Sequence, residues 1–311
     1  METIAVVLKE PESLVLDRLP LCAPGDEDVV VDIDWTGIST GTEKLLWSGQ
    51  MPSFPGMGYP LVPGYESVGR VVEAGTQSGR KTGERVFVPG ANCFGEVRGL
   101  FGGAASTLVV PGQRVVTVSD HFAEQSVLIA LAATAYHAVA GGTPPDLIVG
   151  HGVLGRLLAR IAIAIEAPAP VVWENNPIRQ SGAEGYDVIA AEDDTRMDYD
   201  VILDVSGDSS LLDTLIGRLA PAGEVVLAGF YPEPLSFSFP PAFMREARIR
   251  VAAEWKQPDL EAVNGLIESG RLSLDGLVTH CWDASQAKAA YETAFSDPAC
   301  LKMVLDWRTC S

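Results

Sequence analysis

The segment that most constrains this chain is Gly150-His151-Gly152-Val153-Leu154-Gly155, which follows the apolar run Leu147-Ile148-Val149 and opens a helical pattern from Leu154 to Ile165. A strand that turns this sharply into a helix uses its three glycines differently. The first permits the tight turn, the second lets backbone approach a pyrophosphate, and the third lets helix and strand pack closely. The helix N-terminus then attracts the phosphates. Glu174 ends the next predicted strand, Val171-Val172-Trp173, about 20 residues on, where an acid takes the ribose hydroxyls. A carboxylate there also repels a 2′-phosphate. The sequence therefore predicts a dinucleotide site built from Gly150, His151, Gly152, Val153, Leu154, Gly155 and Glu174, with Arg179 and Ser206 as further contacts, and NAD rather than NADP as cofactor.

The surrounding pattern fits that site. From about residue 121 helix and strand alternate: Glu124 to Ala140 helical, Asp146 to Val149 a strand, Leu154 to Ile165 helical, then strands at Val171 to Trp173, Asp200 to Val205 and Glu224 to Ala228. Short β-branched runs in such alternation predict a doubly wound parallel sheet covered on both faces, a Rossmann domain. Residues 1 to 120 read differently, as short strands such as Val29 to Asp34 and Ser67 to Glu73 punctuated by Gly and Pro. After Pro240 come a strand near Ile249, helices over Leu260 to Ser269 and Ser285 to Phe295, and a last strand Lys302 to Leu305. A chain of 311 residues is longer than one core usually grows. The expected division is a β-rich domain of residues 1–120 and 255–311 around a Rossmann domain of 121–254.

Charge and composition exclude several classes. A formal charge of -19 repels nucleic acid, whose binding depends on neutralising phosphates with Lys and Arg. The run Ile4 to Leu8 is too short, and too acidic in its flanks, for a signal peptide. His137, Arg160 and Glu166 interrupt the longest apolar candidates for a membrane span. Cys22, Cys93, Cys281, Cys300 and Cys310 are odd in number and never in CxxC spacing, which argues against a disulfide framework or structural zinc lobe and fits a reducing cytoplasm.

Two segments of the first domain, Thr36-Gly37-Ile38-Ser39-Thr40-Gly41-Thr42-Glu43 and Pro60-Leu61-Val62-Pro63-Gly64-Tyr65-Glu66-Ser67-Val68-Gly69, resemble the medium-chain dehydrogenase/reductase family. The resemblance continues through Thr134-Ala135-Tyr136-His137-Ala138, Asp204-Val205-Ser206-Gly207 and Leu277-Val278-Thr279-His280, and covers nearly the whole chain. It implies a mixed α/β protein, a GroES-like catalytic domain joined to the Rossmann domain, and hydride transfer. The zinc-binding members of that family take metal ligands from a Cys and a His where this chain has Ser39 and Tyr65, and a third position corresponds to Ala130. Ser and Tyr are not ordinary zinc ligands, so the resemblance implies a zinc-free member. Removing the alcohol proton then falls to side chains or an ordered water. Tyr65 is the first candidate, handing the proton on through Ser39, Thr40 or Thr42, with Glu66 as a charged neighbour; the alternative is that Tyr65 only packs and Glu66 pairs within the domain.

Within the family the chain looks most like the branch that oxidises the 3-(1-hydroxyethyl) group of a bacteriochlorin to 3-acetyl in bacteriochlorophyll synthesis, which implies a tetrapyrrole substrate. Trp47, Phe54, Met57 and Tyr59, set among Gly and Pro in the stretch Leu45 to Tyr59, form a candidate stacking loop for so flat a ring; they serve equally well to close the domain's own core. Resemblance further implies a homodimer through the Rossmann domains, and an amphiphilic pigment makes peripheral membrane association an expectation. Two rival readings remain, a zinc-free quinone or enoyl reductase and a pigment-binding protein without activity. His137 and His280 read as packing residues and His121 as a loop residue. His151 is as readily an exposed turn residue as a phosphate contact.

Overall fold

The computed structural model describes every residue except Phe54, Pro232 and Ser311. The chain divides into two compact units, Met1–Ala130 with Leu277–Ser311, and Leu131–Gly276.

The first unit is built on the strand Asp28–Ile38, most of whose residues are buried. Three strands run antiparallel to it: Ser67–Ala74, Thr107–Pro111 and, from the far end of the chain, Met303–Asp306. The sheet continues through Arg85–Val88 to Val116–Thr117 on one side and to His280–Asp283 on the other. A second sheet orders Ser13–Pro20, Glu2–Glu10, Leu61–Val62 and Arg98–Gly99. Leu8, Val29, Val31, Ile38, Leu61, Val86 and Leu108 form its core together with Tyr291 and Met303 of the returning segment. A short helix, Thr42–Ser48, stops at Gly49, whose φ of 72° is the left-handed value that glycine adopts without strain. The sequence reading has only a loop over part of this span. Seven residues lie below the length at which helical periodicity can be recognised.

The second unit holds six parallel strands in the order Asp187–Ile189, Val171–Trp173, Leu147–Val149, Tyr199–Asp204, Leu219–Leu227, Arg248–Val251. The order reverses beside Leu147–Val149, which is where an open α/β sheet binds ligands at the C-terminal ends of its strands. Leu147, Ile202 and Val225 on central strands are inaccessible, as continuous apolar runs in a doubly covered sheet should be. The helix expected over Glu124 to Ala140 is divided, with 3-10 turns over Asp120–Leu128 and an α-helix only over Ile129–Val139; Ala123, at φ 42°, breaks the earlier part.

The junctions fall after Ala130 and Gly276 rather than at 120/121 and 254/255. Side-chain tethers account for the later exit. Asp259, at the start of the helix Gln257–Glu268, bonds His137 at 2.8 Å. Arg160 donates to the Ser273 and Asp275 carbonyls at 3.0 and 2.9 Å, and Arg271 donates to the Ala164 carbonyl at 2.5 Å. These bonds hold residues 257–276 to the Rossmann unit.

Candidate functional site

In the first unit the hydroxyl groups expected to move a proton do meet. Ser39 closes the strand Asp28–Ile38, and Tyr65 follows Gly64, whose φ of 94° turns the chain just before the strand Ser67–Ala74. The Tyr65 hydroxyl donates to Ser39 Oγ at 2.8 Å, with Thr42 as a second hydrogen-bonding neighbour. Burial raises the Tyr65 phenol well above its ordinary range, and the Glu66 carboxylate pushes the same way, so Tyr65 is a neutral O–H at any working pH. Phe101 stands edge-on to it, with ring centroids 5.5 Å apart, and is itself exposed. Thr40 is exposed.

Glu66 pairs within its own unit, one of the two alternatives open for it. Its carboxylate is fully buried and accepts from Lys302 Nζ at 2.7 Å, and Lys302 also donates to the Ile38 carbonyl at 3.2 Å. The Glu66 carbonyl receives the Gly37 N–H at 2.8 Å. Glu66 therefore joins three strands as half of a buried ion pair, and its charge is spent on Lys302 rather than on a proton relay. The approach is close: a Cβ at Gly37 would lie 2.2 Å from Glu66 Oε2.

Glu43, which the sequence reading passes over, is the other buried acid. Its Oε1 accepts the Ser39 N–H at 2.9 Å and its Oε2 accepts the Tyr291 hydroxyl at 2.5 Å. Burial is the main influence on it and raises its carboxyl to about 7 against the pull of these two donors. Glu43 thus pins the backbone of the residue that receives the Tyr65 hydrogen bond.

Three of the candidate stacking residues, Trp47, Met57 and Tyr59, lie partly within the unit's own core. Trp47 lies 5.6 Å from the Phe295 ring, and the Tyr59 hydroxyl donates to the Leu46 carbonyl. Phe54 lies outside the described residues. The exposed aromatic next to Tyr65 is Phe101.

In the second unit the turn has the geometry its glycines predict. Gly150 takes φ 105°, and a Cβ on Gly155 would lie 1.9 Å from the Gly150 carbonyl oxygen, so helix and strand meet at a distance only glycine allows. A Cβ on Gly152 would touch nothing within 4 Å, which leaves open space where a pyrophosphate should come. Val153 and Leu154 begin the helix Val153–Ala164. Glu174 follows the strand Val171–Trp173, and its carboxylate accepts the N–H groups of His151 and Asn176 at 3.2 and 2.8 Å. Ser206 is exposed beyond the neighbouring strand and lies close to Gly150. These residues fit a dinucleotide.

His151 is a correction. It is fully buried, not an exposed turn residue, and its ring nitrogens are engaged by the Arg179 carbonyl at 2.6 Å and the Tyr186 hydroxyl at 2.8 Å. Its side chain turns into the protein, leaving only its backbone to the turn. Arg179 contributes its carbonyl to this arrangement from the 3-10 turn Pro177–Arg179. His137 is satisfied by Asp259, and His280 is bonded to Thr279 at 3.0 Å.

Ser39 and Tyr65 hydrogen-bond to each other, and no group of three or more His, Cys, Asp or Glu able to hold a metal occurs among the described residues.

Comparison with known proteins bears on the family and the fold. Residues 25–120 match the alcohol dehydrogenase GroES-like domain. The chain is 56% identical to the 2-desacetyl-2-hydroxyethyl bacteriochlorophyllide A dehydrogenase of Rhodobacter capsulatus and 57% identical to that of Cereibacter sphaeroides, in each case over 99% of both chains. Among solved structures, the short chain alcohol dehydrogenase rspB of Escherichia coli CFT073, complexed with NADH, superposes with a TM-score of 0.83 at 21% identity, covering 98% of this chain and 99% of the other. With a GroES-like unit, a Rossmann unit and relatives this similar over their full length, the chain belongs to the medium-chain dehydrogenase/reductase family and is a dehydrogenase.

Proposed function

We propose that the chain oxidises the 3-(1-hydroxyethyl) group of a bacteriochlorophyllide to the 3-acetyl group, with NAD as acceptor and without zinc, as a step of bacteriochlorophyll a synthesis. The full-length similarity to two dehydrogenases named for a hydroxyethyl bacteriochlorophyllide carries this reading. The Tyr65–Ser39 pair adds a chemical means of removing the alcohol proton.

NAD, when bound, supplies the acceptor for the hydride leaving the carbinol carbon. The backbone of Gly150 to Gly155 would hold its pyrophosphate and Glu174 its ribose hydroxyls, with Ser206 and Arg179 nearby. Glu174 is the reason to prefer NAD over NADP. Because Tyr65 stays neutral, it works as a relay: its oxygen accepts the substrate proton as its own proton passes to Ser39 Oγ. Thr42 and the exposed Thr40 lead onward to water. The products balance as ketone, NADH and one proton released. Phe101 offers an exposed ring beside Tyr65 for the pigment to pack on.

The same reading includes a homodimer. Arg248–Val251 is an edge strand, and Val251, Phe239, Phe243 and Met244 are all more than 60% exposed near it. A second copy paired along that edge would cover them and continue the sheet. No helix among the described residues is long and apolar enough to cross a membrane. A cytoplasmic place is part of the same reading, and peripheral association would bring the enzyme to an amphiphilic pigment. Light scattering checks the dimer, and sedimentation with lipid vesicles checks the association.

The test of function is an anaerobic assay of chelator-treated protein with NAD and a 3-hydroxyethyl bacteriochlorophyllide. NADH formation together with the red shift of a newly conjugated acetyl group is expected. Tight NADH binding without turnover would overturn the substrate assignment.

A further inference from the structure

The dinucleotide turn is fastened to the segment after Glu174 by two buried side chains for which the reaction itself has no use. The His151 ring is inaccessible, and its partners fix its tautomer. A carbonyl can only accept, so Nδ1 donates to Arg179 O at 2.6 Å, and Nε2 accepts from the Tyr186 hydroxyl at 2.8 Å. Burial lowers the imidazole to about 4, so the ring is neutral in this arrangement.

Arg156 completes the fastening from the helix Val153–Ala164. Only 5% exposed, it donates to the His151 carbonyl through Nε at 3.1 Å, to Gly182 through Nη1 at 3.0 Å, and to Arg179 and Ser181 through Nη2 at 3.0 and 2.7 Å. One guanidinium therefore serves four carbonyls, one on the turn and three on the segment 179–182. The segment wraps it closely: Gly182 has φ 83°, and a Cβ there would lie 2.5 Å from Nη1. The beginning of the same segment is held too, since Glu174 accepts the Asn176 N–H through Oε1 and the His151 N–H through Oε2, while the Glu174 carbonyl accepts from Gln180 Nε2 at 2.8 Å.

We propose that His151 and Arg156 are positioning residues for cofactor choice: by clamping residues 179–182 to the Gly-rich turn they keep the Glu174 carboxylate fixed at that turn, where it discriminates NAD from NADP. The proposal rests on the dinucleotide reading and adds to it a cause for rigidity. A carboxylate on a loose segment can swing away from a 2′-phosphate and lose its discrimination. A carboxylate bonded to the turn itself cannot move without breaking the clamp.

The test is equilibrium binding of NADH and NADPH, each followed by nucleotide fluorescence, together with hydrogen exchange of residues 174–185 in the full-length protein. Arg156→Met keeps the bulk and removes the donors. It is expected to weaken NADH roughly tenfold, the equivalent of one charged hydrogen bond, to weaken NADPH less, and to speed exchange in the segment. Arg156→Lys keeps the charge without the fork and should behave like Met. His151→Asn, which retains one N–H donor, should preserve more of the NADH preference than His151→Leu; this second pair covers the case in which the Arg156 variants do not fold. Equal weakening of both nucleotides, or an unchanged preference with faster exchange, would overturn the clamp. Wild-type protein that binds neither nucleotide would instead overturn the dinucleotide reading beneath it.

Discussion

Glu43→Gln isolates the cost of one buried charge. The native carboxyl titrates near 7 because burial disfavours its ionised form, against an ordinary value of 4.5. Folding therefore tightens the hold on this proton. Between these two values the unfolded chain gives up the proton first, so the stability associated with Glu43 is fully present below about pH 4.5 and is lost as pH rises through 7. The difference between the two values, at 1.36 kcal/mol per pH unit, corresponds to about 3 kcal/mol. Glutamine can accept from the Ser39 N–H through its oxygen and present its amide to the Tyr291 oxygen, while having no proton to lose. For a unit of this size, about 3 kcal/mol moves a melting midpoint by roughly 6–12 °C. The assay is thermal unfolding of both proteins at pH 5, 6, 7 and 8. The midpoint of the variant minus that of the wild type should rise by that amount across the series, whatever constant offset the substitution brings. Parallel curves at every pH would show that Glu43 ionises in the folded protein without penalty.

Two more outcomes follow from the same unit. Tyr65→Phe keeps the ring against Phe101 and removes the relay hydroxyl, so kcat should fall by roughly 10²–10⁴-fold while NADH affinity, read by fluorescence, stays the same; full kcat would remove Tyr65 from the chemistry. Lys302→Met leaves Glu66 as an unpaired buried charge and should cost about 3–5 kcal/mol, of which the double substitution with Glu66→Gln should recover most. An unchanged melting midpoint for the single variant would mean that water reaches the pair.

The glycine turn was legible because its demands are local: a positive φ, a helix start and a close strand contact all arise within six residues. Alternating helix and strand gave the Rossmann sheet for the same reason. Other features depend on partners that no local pattern reveals. Glu43 meets Tyr291 across 248 residues and Glu66 meets Lys302 across 236. The glycines around His151 point to a turn residue, and only the fold brings Arg179 and Tyr186, 28 and 35 residues on, into place around its ring. Ser39 and Tyr65 stand out in the sequence by their departure from a zinc pattern. Phe101 stands in no motif, and nothing in the sequence marks it as the exposed ring beside Tyr65. The later unit boundary was hidden because it is set by carbonyls accepting from Arg160, and carbonyls leave no mark in a sequence.

The strand Met303–Asp306 lies between Asp28–Ile38 and His280–Asp283, and Lys302 precedes it directly. On the ribosome the contiguous Rossmann stretch is therefore complete before the GroES-like unit is. At about 5–20 residues per second, some 150 intervening residues take roughly 7–30 s to make. For that time the nascent chain carries Glu43 and Glu66 without Tyr291 and Lys302, and one edge of Asp28–Ile38 without Met303–Asp306. This interval is when the chain is most exposed to mispairing and when a chaperone that shields strand edges would matter most. A stop codon placed shortly before Lys302 should leave the Rossmann unit foldable and the GroES-like unit without the strand and the cation that close it.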